Sequence, residues 1–243
     1  MRCGITEFGA ALLLSLFFTA PRANADPPVV EVQAQIQINY PSAQKGKNQA
    51  PAPTVLLWLT PVLSEHELIS VSAPPGHFRM VQKNKSFEPH LLVVSLGSTV
   101  SFPNHDPFFH NVFSQFNGKR FDLGLYEAGD SKDVQFNHEG VSYLFCNIHP
   151  EMSAVVVTLA TPYFVTSTGG TAAILHRVPP GTYELQIWAE GFDSKELAAH
   201  ARRVHIGPSQ TSLGVIQLDA PETIPPHKNK FGEDYRSSQP TIY

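Results

Sequence analysis

Cysteine is nearly absent. The 243 residues include two, Cys3 and Cys146. Cys3 lies in a segment with the marks of an export signal: Arg2, an apolar run from Ala10 to Ala20, and Ala23-Asn24-Ala25. Cleavage is expected before Asp26, so residues 1–25 read as a signal peptide and the product as periplasmic or secreted. The apolar run is too short to span a bilayer comfortably, and no other stretch approaches transmembrane length. The mature chain then keeps one thiol, Cys146, and no intramolecular disulfide is possible. A solitary thiol in an oxidising compartment calls for burial, a partner chain or a metal.

Other scarcities exclude further classes. Methionine occurs three times, and only Met80 and Met152 lie beyond Met1, so no dense thioether motif exists for storing several ions. Charged residues make up 16% with a net charge of -4 and mixed signs, and nothing in this balance suggests a nucleic-acid surface. No Gly-x-Ser-x-Gly elbow, zinc-protease helix or phosphate-cradling glycine loop occurs. Asp130 and Asp133 fall in a polar turn and read as solvated. An enzyme is therefore not expected.

What the chain does have is turns and short apolar runs. Twenty-one prolines and sixteen glycines punctuate stretches of Val, Ile, Leu and Phe, which predicts an all-β protein. From Val30 to Tyr40, Val32, Ala34, Ile36 and Ile38 alternate with Glu31, Gln33, Gln35 and Gln37, the pattern of a half-buried strand. Thr54 to Leu59 is a second strand, expected to end at Pro61. Short strands separated by glycine turns run from Met80 to Leu159. Ser194 to Arg203 fits a helix, and Ala201 to Ile206 fits an edge strand equally well.

Chemistry concentrates in Tyr143-Leu-Phe-Cys-Asn-Ile-His-Pro-Glu-Met152. Cys146, His149 and Met152 fall within seven positions, between an apolar strand leading in and another leading out (Ala154 to Leu159). Soft sulfur with imidazole nitrogen suits copper better than magnesium or calcium. A trigonal site needs one more imidazole, and His110 offers it. This pattern resembles the type 1 copper site of the cupredoxins, in which a distant His joins a Cys-x-x-His-x-x-Met loop; the loop spacing is similar to that of amicyanin. The resemblance covers about residues 76–160. It implies one copper ion held by His110, Cys146 and His149, with Met152 as a weak axial ligand. It also implies that Asn111 ties the ligand loops together with its N–H toward the thiolate. Asn104, His105 and Asp106 are candidates to buttress the His110 loop. An apolar collar of Phe108, Phe109 and Pro150 around His149 is the expected docking surface for a redox donor and acceptor. The absence of His-x-His pairs excludes a multicopper oxidase cluster, and a single cysteine in the loop excludes a binuclear centre.

The stretch Val178-Pro-Pro-Gly-Thr-Tyr-Glu-Leu resembles the closing half of transthyretin-like, carboxypeptidase-regulatory-like domains. The expected architecture is a cupredoxin sandwich inserted in or joined to a second sandwich split between 28–75 and 161–218, with 219–243 as a flexible tail. The chain also resembles exported plastocyanin-like proteins grouped under methylamine utilisation. Electron transfer is the function these resemblances imply. A copper-stabilised scaffold for a polysaccharide or protein, and periplasmic copper handling, are the alternatives.

Overall fold

The alternating runs become strands. The structure is a computed structural model that describes residues 28–41, 52–64, 67–68, 73–115, 118–209, 212–221 and 227–235. The signal sequence expected at 1–25, with Cys3, lies outside the described residues.

β1 (Val30–Asn39), β2 (Thr54–Ser64) and the two-residue β3 (Glu67–Leu68) come first. A central block follows: β4 (His77–Arg79), β5 (Val81–Lys83), β6 (Ser86–Glu88), β7 (Leu91–Ser95), β8 (Ser98–Pro103), β9 (His110–Ser114), β10 (Phe121–Tyr126), β11 (Ser131–Phe136), β12 (Gly140–Phe145) and β13 (Ser153–Leu159). Then come β14 (Phe164–Thr168), β15 (Ala172–Val178), β16 (Gly181–Ala189), helix α1 (Ser194–Ala199), β17 (Arg202–Ile206) and β18 (Ser212–Asp219). The all-β class expected from the sequence is what the protein has.

The central block forms a five-stranded sheet, β10-β9-β12-β13-β7, facing a three-stranded sheet, β11-β8-β4, with β5-β6 as a separate hairpin. The strands on either side of it in sequence share two other sheets. One is β15-β1-β18, the other β14-β2-β16-β17 with β3 on β2.

β13 explains how these layers stack. Side chains alternate across a strand. Ala154 and Val156 pack with Val112, Leu144 and Cys146 in the central core. Val155, Val157 and Leu159 point the other way, into a core built with Val32, Ile36, Leu57, Leu175, Leu185 and Ile216. The unbroken apolar run Ala154–Leu159 is therefore a strand buried on both faces. Each fully buried valine contributes about 1.5–3 kcal/mol. On the same outer face Tyr143 Oη accepts a hydrogen bond from Trp188 Nε1 at 3.1 Å.

Three expectations change. Pro61 does not end the second strand. Leu59 N–H points to Tyr163, so the position two residues on faces the same side, where β14 pairs only as far as Phe164 with Trp58. A proline is tolerated there because no ladder bond is lost. The segment from Ser194 is both helix and strand: Asp193 caps α1 by accepting from Lys195 N and Glu196 N, and β17 follows. Finally, residues 227–235, expected within a flexible tail, pack against the Cys146 loop instead. The reason is specific: Tyr235 Oη donates to the Cys146 carbonyl at 2.7 Å, and the His227 ring stacks on Phe145.

One polar link between the sheet systems titrates. His90 Nε2 lies 2.6 Å from Glu190 Oε1 and His90 Nδ1 lies 3.0 Å from the Ser153 carbonyl. The Glu190 side chain holds the His90 pKa above its ordinary 6.5, against the opposing effect of partial burial. A raised folded-state pKa gives stability that is complete below 6.5 and is lost as pH rises through the folded value. The thermal midpoint should therefore carry a small loss on the alkaline side of 6.5, and Glu190→Gln should abolish that component in a pH series of melts.

Candidate metal centre

His110 begins β9, Cys146 directly follows β12, and His149 lies in the loop that returns to β13. Backbone bonds close that loop: Cys146 N donates to the Met152 carbonyl at 3.3 Å, and Met152 N to the His149 carbonyl at 3.1 Å. The donors converge. His110 Nδ1 and His149 Nδ1 are 3.1 Å apart, and Cys146 Sγ is 3.8 Å from the first and 3.7 Å from the second. His110 and Cys146 are fully buried, and His149 is 4% exposed. Met152 is also fully buried, in the same core cluster as Cys146.

The donor set fits a metal ion. With imidazole and thiolate at about 2.0 and 2.3 Å from an ion, roughly trigonal angles give edges of about 3.1–3.8 Å, as found here. Protonation agrees. Burial pushes the His110 and His149 pKa values down, so both imidazoles are neutral with lone pairs to give. Burial pushes the Cys146 thiol up, opposed by the backbone N–H groups of Asn111, Ile148 and His149 that face the sulfur. A cation supplies the charge that a buried thiolate otherwise lacks. His110, Cys146 and His149 can thus hold a metal.

Asp106 decides which nitrogen of His110 is free. Its Oδ2 lies 2.8 Å from His110 Nε2, which fixes the Nε2–H tautomer and leaves Nδ1 as the donor. Burial alone would raise the Asp106 pKa, but the N–H of Lys85, the His110 ring and the N–H of Asn84 together bring it below the ordinary carboxylate value. Those N–H groups lie 2.9 Å (Lys85) and 2.6 Å (Asn84) from the carboxylate. They come from the two-residue turn between β5 and β6, where both residues take positive φ, 55° at Asn84 and 54° at Lys85. Such a turn matches the twist of a hairpin, and here it aims two donors at one acid. Asn104 completes the support: its Oδ1 accepts from Asp106 N at 3.0 Å, and its Nδ2 donates to the Phe108 carbonyl at 2.8 Å.

The remaining candidates divide. Asn104 and Asp106 are buried in the loop that leads to His110, whereas His105 is exposed. The Asn111 N–H faces the thiolate, but its side chain does not bridge the ligand loops. It donates to Asp122 Oδ1 at 2.7 Å and to the Gly124 carbonyl at 3.0 Å, tying β9 to β10. Phe108 is half-buried with its ring against both ligand imidazoles, 5.2 Å from His110 and 5.5 Å from His149. Phe109 is 47% exposed and Ile148 43%, and Pro150 is exposed as well. Sequence reasoning missed the Asn84–Lys85 turn, whose signal was an asparagine between the apolar Val81 and Phe87. It also missed the contacts of residues 227–235, which had no periodic signal.

No protein-family model matches the chain, and no curated protein matches it. Part of it is similar to solved cupredoxins. A novel purple cupredoxin from Nitrosopumilus maritimus is 26% identical over 33% of this chain and 98% of its own, with a TM-score of 0.30. A reduced Cu(I) form of an amicyanin mutant is 20% identical over 42% of this chain and 98% of its own, TM-score 0.33. A copper-containing nitrite reductase from Thermus scotoductus SA-01 is 23% identical over 41% of this chain and 25% of its own, TM-score 0.33.

Removing the acid that orients His110 should weaken metal binding without unfolding the protein. Asp106→Asn should lower affinity for Co(II), used as a spectroscopic probe, by about 10–100-fold. Chelator competition measures this, with circular dichroism confirming the fold.

Proposed function

We propose that the protein is an exported type 1 copper protein that carries single electrons between redox partners. The observation that carries this reading is the buried triangle of two neutral imidazoles and one thiol, with Met152 buried in the same core cluster as Cys146. Copper, when bound, supplies a one-electron couple. His110, Cys146 and His149 would hold it, and Met152 would add a weak thioether that tunes the potential. The chain's own part is to change little between oxidation states. Asp106 locks the His110 ring, three backbone N–H groups converge on the sulfur, and burial keeps water out. A structural zinc site usually recruits four strong donors; this one offers three and a thioether. No enzymatic role is proposed.

We also read β1–β3 with β14–β18 as one transthyretin-like unit, split in sequence by the copper unit. What supports the split is the shared hydrogen bonding of β1 with β15 and β18, and of β2 with β14 and β16. Periplasmic or secreted location rests on the signal pattern and on the lone remaining thiol.

Electrons would enter and leave past His149, the most exposed of the ligands at 4%. Phe109, Ile148 and Pro150 supply an apolar rim, a small contact of the kind redox partners use.

Two experiments test the reading. Added Cu(II) should give an intense visible thiolate-to-copper band that Cys146→Ser abolishes, while Met152→Leu keeps the colour and raises the potential. A folded, copper-loaded wild type without the band defeats the assignment. Phe109→Asp should leave band and potential intact but slow electron self-exchange, measured by NMR line broadening; an unchanged rate places the docking surface elsewhere.

A further inference from the structure

The segment from His227 to Tyr235 crosses the outer side of the ligand loop and grips it at successive points. Tyr235 Oη donates to the Cys146 carbonyl at 2.7 Å. Lys230 N donates to Asn147 Oδ1 at 3.1 Å. His227 Nε2 lies 2.6 Å from the Pro150 carbonyl, so it carries the proton and donates. The His227 ring stacks on Phe145 with centroids 4.2 Å apart, and Tyr235 meets His227 edge-on at 5.2 Å. The same segment also reaches the β9–β10 pair that carries Asn111. Lys230 Nζ pairs with Asp122 Oδ2 at 2.8 Å, and Asp122 Oδ1 in turn accepts from Asn111 Nδ2. Gln115 Nε2 donates to the Lys230 carbonyl.

These contacts do not resemble the chance landing of a tail. They fall on the backbone of Cys146 and Pro150 and on the side chain of Asn147, and they bracket Ile148 and His149. The N–H groups of those two bracketed residues, with that of Asn111, face the Cys146 sulfur. A loop that carries its metal-facing donors on its inner side exposes its carbonyls on the outer side, where they need partners. The strap supplies them.

Resting on the copper reading above, we propose that His227 and Tyr235 are positioning residues of the metal centre: they hold the backbone of Cys146–Pro150 from outside and so keep the Cys146 thiolate and His149 in binding geometry. The physical consequence is specific. Hydrogen bonds to a thiolate draw electron density off sulfur and favour the reduced ion. A loosened loop donates less, so the sulfur favours Cu(II) and the potential falls.

Tyr235→Phe keeps the ring against His227 and removes the hydroxyl, with its bond to the Cys146 carbonyl and its 3.4 Å contact with His227 Nδ1. Tyr235→Phe/His227→Ala removes the hold at both ends of the loop. Both are made in the full chain. In the copper-loaded protein, capture of Cu(I) by a chelator should be about fivefold faster in the single variant, the worth of one hydrogen bond, and faster again in the double. The potential should fall in the same order with the thiolate band retained. In the metal-free protein, amide exchange at Ile148 and His149 should accelerate while that of β13 stays unchanged. Wild-type potential and capture rate in both variants would overturn the proposal and leave the strap as a surface cover. If wild-type protein lacks the thiolate band, the copper reading fails separately; the exchange experiment still decides, since unchanged protection in both variants overturns the clamp.

Discussion

The bond from Asp106 to His110 is the interaction on which the centre depends. An imidazole can present either nitrogen, and only one choice closes the triangle with Cys146 and His149. The carboxylate 2.8 Å from Nε2 makes that choice. It can do so because it stays ionised inside the protein, and it stays ionised because the turn at Asn84 and Lys85 gives it two backbone donors. A buried carboxylate without such partners would become protonated. A hairpin more than twenty residues upstream of His110 thus determines which nitrogen of that ring is left free to bind a metal.

The second constraint is the double burial of β13. The strand leaves the ligand loop and enters two cores at once, with Val156 on one side and Val155 and Val157 on the other. The return end of the loop is thereby anchored to both layers, and its entry is held by β12 between β9 and β13. The strap from His227 to Tyr235 adds contacts with Cys146, Asn147 and Pro150 of the loop itself. Such confinement would hold the three donors in one arrangement whether or not an ion is bound.

Much of this was legible in the sequence. The donors were readable because few residue types bind a soft metal and because three of them fall in one loop between two apolar strands. The unbroken run from Ala154 signalled a strand, though its burial on two faces needed the second core to be visible. Its place four residues before His110 makes Asp106 a buttress candidate, but its role depends on N–H groups that no local pattern connects to it. Pro61 was misread because its effect depends on which neighbour its nitrogen faces. Which of Phe108 and Phe109 points outward could not follow from two adjacent apolar residues in an irregular loop. The stretch from His227 was opaque for a different reason: its contacts are polar, single and long-range, so composition suggested a tail.

The central claim is that one copper ion sits among two imidazoles and the Cys146 thiolate. X-ray absorption at the copper edge of the purified, stoichiometrically loaded protein tests it most directly. The account predicts a shell of one short sulfur and two nitrogens, with the sulfur lost in Cys146→Ser. A shell of nitrogen and oxygen alone in the wild type, or one unchanged by the substitution, would contradict it.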